Sequence, residues 1–329
     1  MTEHEPRAIC SPEREEEMKA VVYDKGSSPE PLVYREVTKP VPGEDEVLVR
    51  IHAAAVNAAD SRSMKLGAIP KKKIFGCDIA GEVEAVGKNV RRFKAGDEVL
   101  GDISACGMGG FAEYVVVPET PLALKPASLL FETAAAVPLS AVTALQGLRN
   151  LGDIKPGEKV LIYGAGGGVG SFAVQLAKHF GAEVTAVCGE KNIQVIRSLG
   201  ADHVINYLDC DVTSIGGRYD LVLAVNGSNP LKAYLQLLAP GGICVMVGGS
   251  LKQVIKALVF GGLMSLGSRK IRSLNAKPNA EDLAFVIKLV EEGKLKPVID
   301  RRYPLTQTAE AVRYQSEGHA MGKIIIEVA

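Results

Sequence analysis

A cysteine and an aspartate stand side by side at Cys77 and Asp78, in the stretch "GCDIAGEVEAVG" (76–87). A thiolate and a carboxylate are both zinc ligands, and a catalytic zinc needs three protein ligands placed around one point. Two adjacent residues cannot supply that geometry alone. The pair is therefore either part of a zinc site completed from elsewhere in the chain or the entrance to a strand, and the rest of the sequence has to distinguish the two.

The spacing of the cysteines gives no support for any other metal or disulfide framework. No two of them form a CxxC pair, so neither a zinc ribbon nor a dense disulfide scaffold is predicted. We expect buried, reduced thiols in a reducing compartment. The six cysteines are Cys10, Cys77, Cys106, Cys188, Cys210 and Cys244.

A second stretch, "VLIYGAGGGVGSFAVQLAKHFGA" (160–182), predicts a strand, a glycine-rich turn and a helix. Such a turn lets the amides of a helix N-terminus approach a pyrophosphate, whose charge the helix dipole also favours. The fingerprint reads Ala165-x-Gly167-x-x-Gly170, with alanine in place of the first glycine. The alternative is a tight turn without a ligand. The predicted cofactor-binding residues of the turn are Gly164, Ala165, Gly167, Gly168, Val169 and Gly170.

The next predicted strand, "EVTAVCGEK", bears on which dinucleotide is bound. NAD sites carry an acid at the end of this strand, about 20 residues after the glycines, to bind the ribose 2′-hydroxyl. Here that position is Gly189, and Lys191 follows closely. Space and positive charge favour the 2′-phosphate of NADPH. Glu190 stands one residue late and leaves NADH as the less favoured alternative.

Charge and composition exclude several classes of function. Basic and acidic residues balance at 38 each, which gives no electrostatic case for binding nucleic acid or an anionic membrane. Residues 1–17 are Glu-rich and lack an apolar stretch, which predicts a disordered acidic tail rather than a targeting peptide, and so a cytoplasmic protein. The most apolar later stretch, 254–267, is too short to span a bilayer and contains Lys256.

The positioning elements change in character along the chain. Residues 18–135 contain short β-branched runs separated by Gly, Pro, Asp and Asn, which predicts a compact barrel or sandwich. An Ala- and Leu-rich helical stretch follows, interrupted by Pro138. Fully apolar strands then alternate with helices, which predicts a parallel sheet covered on both faces. The predicted fold class is α/β.

Together these motifs resemble the medium-chain dehydrogenase/reductase family, specifically its zinc-independent quinone oxidoreductase branch. The resemblance implies a GroES-like β-rich catalytic domain, 18–138 completed by 280–329, and a Rossmann doubly wound parallel-sheet domain at 139–279, with the active-site cleft between them. It is carried by "MKAVVY", "EVLVRIHAAAVNAADSRSMKLG", "GCDIAGEVEAVGKNVRRFKAGDEVLG", "GGFAEYVVVP", "AAAVPLSAVTALQGL", "GAGGGVGSFAVQLAKHFGAEVTAV", "LGADHVINY" and "GKIIIEV".

The resemblance also decides between the two interpretations of Cys77 and Asp78. Zinc alcohol dehydrogenases of this family hold the metal with a Cys, a His–Glu pair and a second Cys. Here the first Cys position is Asn57, the pair is Cys77–Asp78, and the second Cys position falls near Leu139. The lobe that holds the family's structural zinc carries only Cys106. We therefore expect no zinc.

The resemblance implies catalytic roles for three residues. Asn57 and Asp60 match the family's N-x-x-D beside the nicotinamide, Asn57 to orient an acceptor carbonyl and Asp60 to organise polar groups. The competing interpretation is that they cap a helix, because Asn and Asp are good N-caps. Some relatives carry a Tyr two positions past that Asp, where Arg62 puts an acid role in doubt. Lys65 is the candidate proton donor or carbonyl-polarising group.

Further cofactor contacts are implied by position. A generic surface lysine is the alternative for both lysines among them. Thr143 matches a residue near the nicotinamide, Lys191 and Tyr207 surround the 2′-phosphate, the backbone of Val247, Gly248 and Gly249 passes the nicotinamide amide, and Lys323 reaches the phosphates.

The expected function is an NADPH-dependent oxidoreductase that delivers hydride to small-molecule quinones, enals or enones, as a monomer or homodimer. Without a Lewis acid the acceptor must already be electrophilic. A zinc-type alcohol dehydrogenase and a non-enzymatic NADPH-binding protein are the alternatives.

Overall fold

The computed structural model describes residues 16–27, 31–209, 218–225, 227, 229–248 and 268–328. Most of the predicted tail at 1–17, the apolar stretch 254–267 and Gly249 lie outside these residues. The first strand begins at Glu17, one residue before the expected start of the folded chain. In the described part, no helix is both long and apolar enough to cross a membrane.

Strands from both ends of the chain build the β-rich unit, as the sequence patterns predict. Their alternating or fully apolar β-branched residues fit a pleated, half-buried surface. The strands are β1 (Glu17–Tyr23), β2 (Leu32–Thr38), β3 (Glu46–Val56), β4 (Asp78–Val86), β5 (Glu98–Asp102), β6 (Tyr114–Pro118), β7 (Leu122–Leu124) and, as β14 and β15, Ile299–Pro304 and Lys323–Glu327. They confirm a GroES-like unit completed by the C-terminal segment.

Strand β3 organises this unit because it pairs antiparallel with β4, β6 and β15. The seven-stranded sheet runs β14-β15-β3-β4-β5-β7, with β6 paired to β3, and β1 and β2 form a separate two-stranded sheet. Since β15 and β4 lie on either side of β3, their first residues, Lys323 and Asp78, flank Asn57 at the end of β3.

A six-stranded parallel sheet forms the Rossmann unit. Its strands are β8 (Lys159–Tyr163), β9 (Glu183–Cys188), β10 (His203–Asn206), β11 (Tyr219–Val225), β12 (Leu238–Val247) and β13 (Lys270–Leu274). The order β10-β9-β8-β11-β12-β13 is the doubly wound order, with a crevice outside the carboxyl ends of the strands, where β8 and β11 meet. The predicted fold class is confirmed.

Helices are present at both stretches where the sequence predicts them, after the glycine turn and around Pro138. Pro138 does not bend one long helix but starts a second, because proline is tolerated at the first helical position. The helices are α1 (Ala58–Lys65), α2 (Phe131–Ala135), α3 (Pro138–Leu145), α4 (Gly168–His179), α5 (Ile193–Ser198), α6 (Leu231–Leu237), α7 (Ala280–Glu291) and α8 (Thr308–Ser316), with a π-helical turn at Gln146–Leu151 and 3₁₀ turns at Ser104–Cys106, Glu190–Asn192 and Leu305–Gln307.

One hydrophobic cluster joins the two units. It contains Ala53 and Leu100 from the β-rich sheet, Val160 from β8 and Leu283 from α7, all nearly or fully buried. Burying apolar surface across the boundary holds the cleft-forming elements in a fixed relation. Since α7 packs in this shared cluster, the exact domain bounds at 138/139 and 279/280 stay predictions.

Candidate active site

The glycine turn joins β8 to α4 at the crevice. Gly164 has a φ of +79°, and a Cβ on Gly170 would lie only 2.2 Å from the Gly164 carbonyl oxygen. A side chain at Gly170 would therefore force the start of α4 away from the turn. Gly167 is the N-cap of α4, and the first amides of a helix, here those of Gly168 and Val169, have no partner within the helix. They are available to an anion.

Gly164 and Ala165 shape the turn rather than offer donors. Their backbone amides donate to the carbonyl oxygen of Val187, at 3.0 Å and 2.9 Å, which ties the turn to β9. On the other side, the backbone amide of Gly322 donates to the Gly166 carbonyl oxygen at 2.8 Å. The glycine turn is thus fixed by both units.

The structure brings together the residues predicted to surround the 2′-phosphate. A Cβ built on Gly189 would lie 3.2 Å from Tyr207 Oη, so the tyrosine lies directly over the glycine. Lys191 and Glu190 are exposed in the following 3₁₀ turn. This end of the crevice therefore combines a glycine that carries no carboxylate, an exposed ammonium and a phenol.

Asn192 is a residue that the sequence analysis missed. Its side-chain nitrogen lies 2.1 Å from the position that a Cβ on Gly166 would take, so the amide packs directly on the glycine turn. Its Oδ1 is buried and has no hydrogen-bond partner among the residues that the structure describes. A buried acceptor without a donor is costly, and a ribose hydroxyl would supply one. The glycine turn and this orphaned oxygen both fit a dinucleotide.

Thr143, Val247 and Gly248 lie where the nicotinamide half is expected. Thr143 is buried on α3, and Val247 and Gly248 end β12 at the carboxyl edge of the sheet. The guanidinium of Arg62 reaches this edge, with its nitrogens 3.4 and 3.5 Å from where a Cβ on Gly248 would stand.

The expectation that Lys323 extends to the cofactor phosphates needs correction. Its side chain is 3% exposed, and its ammonium donates to Asn57 Oδ1 at 2.6 Å, Asp78 Oδ2 at 2.9 Å and Ser140 Oγ at 3.2 Å. These bonds use all three ammonium protons. Only the aliphatic stem of Lys323 approaches the turn, 2.8 Å from the Cβ position of Gly168.

Asn57 is likewise fully engaged inside the protein. Its Nδ2 donates to the Ala55 carbonyl oxygen at 3.1 Å and to Asp78 Oδ2 at 3.0 Å. Both amide protons are used, so none is left to donate to the carbonyl of an acceptor. The predicted orienting role of Asn57 therefore lacks a free donor in this structure.

Asp60 caps α1, as the competing interpretation has it, and it also binds two groups outside that helix, at Gly76 and Cys77. Its Oδ2 accepts from the backbone amide of Asn57 at 2.8 Å, and its Oδ1 accepts from the amide of Gly76 at 3.0 Å and from Cys77 Sγ at 3.4 Å. The carboxyl is fully buried, and desolvation raises its pKa to about 6 despite these donors. Burial raises the pKa of the Cys77 thiol as well.

The residues at the zinc-ligand positions meet, but they do not fit zinc. Asp78 Oδ1 accepts from the Leu139 amide at 2.8 Å, so Asn57, Asp78 and Leu139 surround one point, beside which the Lys323 ammonium lies. Throughout the described ranges, no group of three or more His, Cys, Asp or Glu residues could hold a metal ion. An ammonium there would also repel a divalent cation.

Lys65 is the predicted site residue that the structure leaves apart. It is exposed at the last position of α1, and no hydrogen bond among the described residues joins it to this network. Ser140, by contrast, joins the network unpredicted. Its position next to Leu139 was the only signal in the sequence that could have identified it.

A doubly wound sheet with a dinucleotide turn, joined to a GroES-like unit that packs on that turn, defines a two-domain nicotinamide-dependent oxidoreductase. Two family models agree: the alcohol dehydrogenase GroES-like domain matches residues 43–127 and the zinc-binding dehydrogenase matches residues 199–326.

The relatives narrow this class. The chain is 35% identical to the chloroplast envelope quinone oxidoreductase homolog of Arabidopsis thaliana, covering 94% of this chain and 98% of the relative. It is 32% identical to the chloroplastic NADPH-dependent alkenal/one oxidoreductase of the same plant, covering 94% and 79%. The quinone oxidoreductase structure from Coxiella burnetii has a TM-score of 0.85 at 29% identity, covering 95% of this chain and 100% of that one. The chain belongs to the medium-chain dehydrogenase/reductase family, among its quinone and alkenal/one oxidoreductases.

Proposed function

We propose that the protein is an NADPH-dependent oxidoreductase that reduces quinones or α,β-unsaturated carbonyls without a metal ion. The observation that carries the proposal is the Lys323 ammonium, bonded to Asn57 and Asp78 at the positions where the zinc enzymes of the family hold their metal. With a lysine there, the site has no Lewis acid to polarise an alcohol or a simple aldehyde. The names of the quinone and alkenal/one relatives support the same substrates.

The bound cofactor would supply hydride from its dihydronicotinamide ring. The protein's part is binding and orientation. First-turn amides of α4 bind the pyrophosphate, while Thr143, Val247 and Gly248 bound the nicotinamide end. We assign Asn57 and Lys323 as positioning residues, because their bonds join β15 to the end of β3, to β4 and to α3. The stem of Lys323 lies beside Gly168 of the glycine turn.

NADPH rather than NADH is proposed because of the 2′-phosphate end of the crevice. Gly189 carries no carboxylate to repel a phosphate, Tyr207 lies over it, and Lys191 is exposed two residues further on. Glu190 is exposed in the same turn and is the residue that would favour NADH.

One screen tests the proposal. The purified protein is assayed with NADPH against a panel of quinones, enals, enones and saturated aldehydes, before and after dialysis against a chelator, with zinc measured by mass spectrometry. We expect turnover of quinones or enones, substoichiometric zinc and no loss on chelation. Stoichiometric zinc with chelator-sensitive alcohol oxidation would support the zinc-type alternative. Cofactor binding without any turnover would support the non-enzymatic one.

The location and assembly stay predictions. A cytoplasmic protein was expected from residues 1–17, whereas two relatives carry a chloroplast location in their names. Fractionation of cells that express the tagged full chain tests the location, and light scattering tests whether the chain is a monomer or a homodimer.

A further inference from the structure

We propose that Arg62 is a catalytic residue, whose guanidinium binds the carbonyl oxygen of the acceptor and stabilises the negative charge that forms there during hydride transfer. This rests on the proposed function of the cleft. It assigns to a permanent cation of this chain the electrostatic work that zinc performs in the metal-dependent members of the family.

Arg62 reaches from the β-rich unit to the carboxyl edge of the parallel sheet. The residue lies on α1, which begins directly after Asn57, and its side chain crosses to the Rossmann unit. Its two terminal nitrogens are 3.4 and 3.5 Å from the Cβ position of Gly248, at the carboxyl end of β12. Ligands of doubly wound sheets bind outside that edge. The guanidinium therefore stands in the cleft, at the end assigned to the nicotinamide.

The Arg62 guanidinium has hydrogen-bond donors available for a ligand. Among the residues that the structure describes, no hydrogen bond or ion pair to the Arg62 guanidinium is found, and the side chain is exposed. The two other polar side chains considered as donors to the substrate have none left. The Lys323 ammonium donates its protons to Asn57, Asp78 and Ser140. The amide of Asn57 donates both of its protons within the protein. A guanidinium offers five N–H donors in a planar fork. Arg62 thus has the unused donors that a substrate oxygen requires.

The chemistry of the acceptor explains why a cation is needed at this point. An enone gains a C–H bond at its β-carbon when hydride arrives with both bonding electrons. The C=C electron pair moves to the bond between the α-carbon and the carbonyl carbon, and the C=O pair moves to oxygen. The resulting enolate oxygen is held by the guanidinium, and a solvent proton at the α-carbon completes the saturated ketone, leaving oxidised nicotinamide. A quinone gives the hydroquinone monoanion, which takes its proton on oxygen.

Arginine can stabilise the oxyanion formed by hydride transfer, but it cannot protonate it. Its guanidinium stays cationic at all pH values used for enzymes, so it stabilises an oxyanion but does not donate a proton. This resolves the question raised by an arginine at a position where some relatives carry tyrosine. The acid role is absent, and electrostatic stabilisation takes its place.

The kinetic test compares Arg62→Gln and Arg62→Lys with the wild type, using saturating NADPH and the best quinone or enone. Arg35→Gln is the matched control, since Arg35 is exposed on β2 in the separate two-stranded sheet. We expect Arg62→Gln to lower kcat by roughly 10²-fold, the usual cost of removing one oxyanion donor. Arg62→Lys should recover part of this loss, and Arg35→Gln should change nothing. The dissociation constant of NADPH, followed by fluorescence, and the melting temperature should stay near wild type for all three.

Two kinetic outcomes would overturn the proposal. One is a kcat of Arg62→Gln within about threefold of the wild type, a change too small for a lost transition-state interaction. The other is a loss confined to NADPH affinity, which would make Arg62 a cofactor-binding residue only.

A binding test separates this proposal from the proposed function. 4-Nitrophenolate is an oxyanion whose visible absorption reports its environment, and it is titrated into the protein saturated with NADP⁺. If Arg62 binds an oxyanion, 4-nitrophenolate should bind to the wild type. Arg62→Gln should then raise its dissociation constant at least about tenfold, which corresponds to 1.4 kcal/mol. This result would support the role of Arg62 even if the protein reduced no quinone or enone in the panel. Such a failure in the panel would count against the proposed function but not against oxyanion binding by Arg62. Equal binding by both proteins, or none by the wild type, would count against Arg62 whatever the panel shows.

Discussion

The ammonium of Lys323 lies 2.9 Å from Asp78 Oδ2, and both side chains are almost completely buried. The two residues open strands β15 and β4, which flank β3 without touching each other. Their ion pair therefore bridges across the end of β3. Asn57, the residue after that strand, hydrogen-bonds to both of them. The pair closes the β-rich unit at the point where that unit meets the cofactor turn.

We predict that Lys323→Met severely destabilises the protein, because it leaves the Asp78 carboxylate buried without its cation. Removing one partner of a buried ion pair typically costs about 3–5 kcal/mol. The double variant Lys323→Met/Asp78→Asn should recover much of that loss, since no uncompensated charge remains. The free energy of unfolding in urea is measured for Lys323→Met, for Asp78→Asn and for the double variant.

The exposed pair Lys155–Asp153 is the control, with side chains 59% and 68% exposed. Lys155→Met should cost less than about 1 kcal/mol, as surface ion pairs do. If the double variant at the buried pair were as unstable as the sum of its single variants, the pair would not act as a unit, and the prediction would be wrong.

We predict that Asp60 makes stability fall as pH rises from about 4 to about 6. Its pKa in the folded protein is about 6, raised by burial from an ordinary value of 3.8. Between these values the folded state binds more protons than the unfolded state, so raising the pH favours unfolding. The difference of 6 minus 3.8, about two pKa units, corresponds to roughly 3 kcal/mol.

Asp60→Asn should remove this dependence. The gap between its free energy of unfolding and that of the wild type is measured by urea titration at several pH values. It should move in favour of Asp60→Asn by a few kcal/mol across the window and level off above it. Glu310→Gln, at an exposed position on α8, is the control and should run parallel to the wild type. Parallel curves for Asp60→Asn would mean that the buried carboxyl does not titrate in this window.

Particular residues show how far sequence reasoning reached. The glycine turn followed from the strand–turn–helix pattern, since the geometry of close backbone approach restricts residue type locally. Gly189 and Tyr207 lie together because they follow adjacent parallel strands, whereas their role at the 2′-phosphate stays a prediction.

Lys323 was assigned to the wrong partner for a physical reason. A lysine's charge lies at the end of a long, flexible stem, so its direction depends on which acceptors the fold brings near. Asp78 and Asn57 are separated from it by 245 and 266 residues in sequence. No local pattern identifies that contact. Asn192 was missed for a similar reason. It follows β9 and packs on Gly166, which follows β8, so the contact depends on the pairing of these two strands.

We predict that Lys191→Gln weakens NADPH binding and leaves NADH binding unchanged. The lysine is exposed two residues after Gly189, where our proposal places the 2′-phosphate that NADPH carries and NADH lacks. Losing one charge-assisted contact of about 1.4 kcal/mol raises the dissociation constant about tenfold. Fluorescence titration with both cofactors measures this. Lys232→Gln, exposed on α6 of the same unit, should leave both affinities alone. Equal weakening of NADPH and NADH would point to a general charge effect instead.

We predict that Gly170→Ala abolishes tight cofactor binding. A Cβ there would lie 2.2 Å from the Gly164 carbonyl oxygen and 2.6 Å from Ala165 Cα, and these backbone atoms can yield only if α4 shifts away from the turn. Moving the helix withdraws its first-turn amides from the pyrophosphate, so the dissociation constant of NADPH should rise by more than about tenfold. Gly26→Ala is the matched control, because among the described residues its Cβ would meet only Asp24 Oδ1, at 3.4 Å. That variant should bind NADPH as the wild type does and change stability by less than about 0.5 kcal/mol. If Gly170→Ala instead bound NADPH normally, the amides of this turn would not be the pyrophosphate donors, and the cofactor would have to be held from the other side of the crevice.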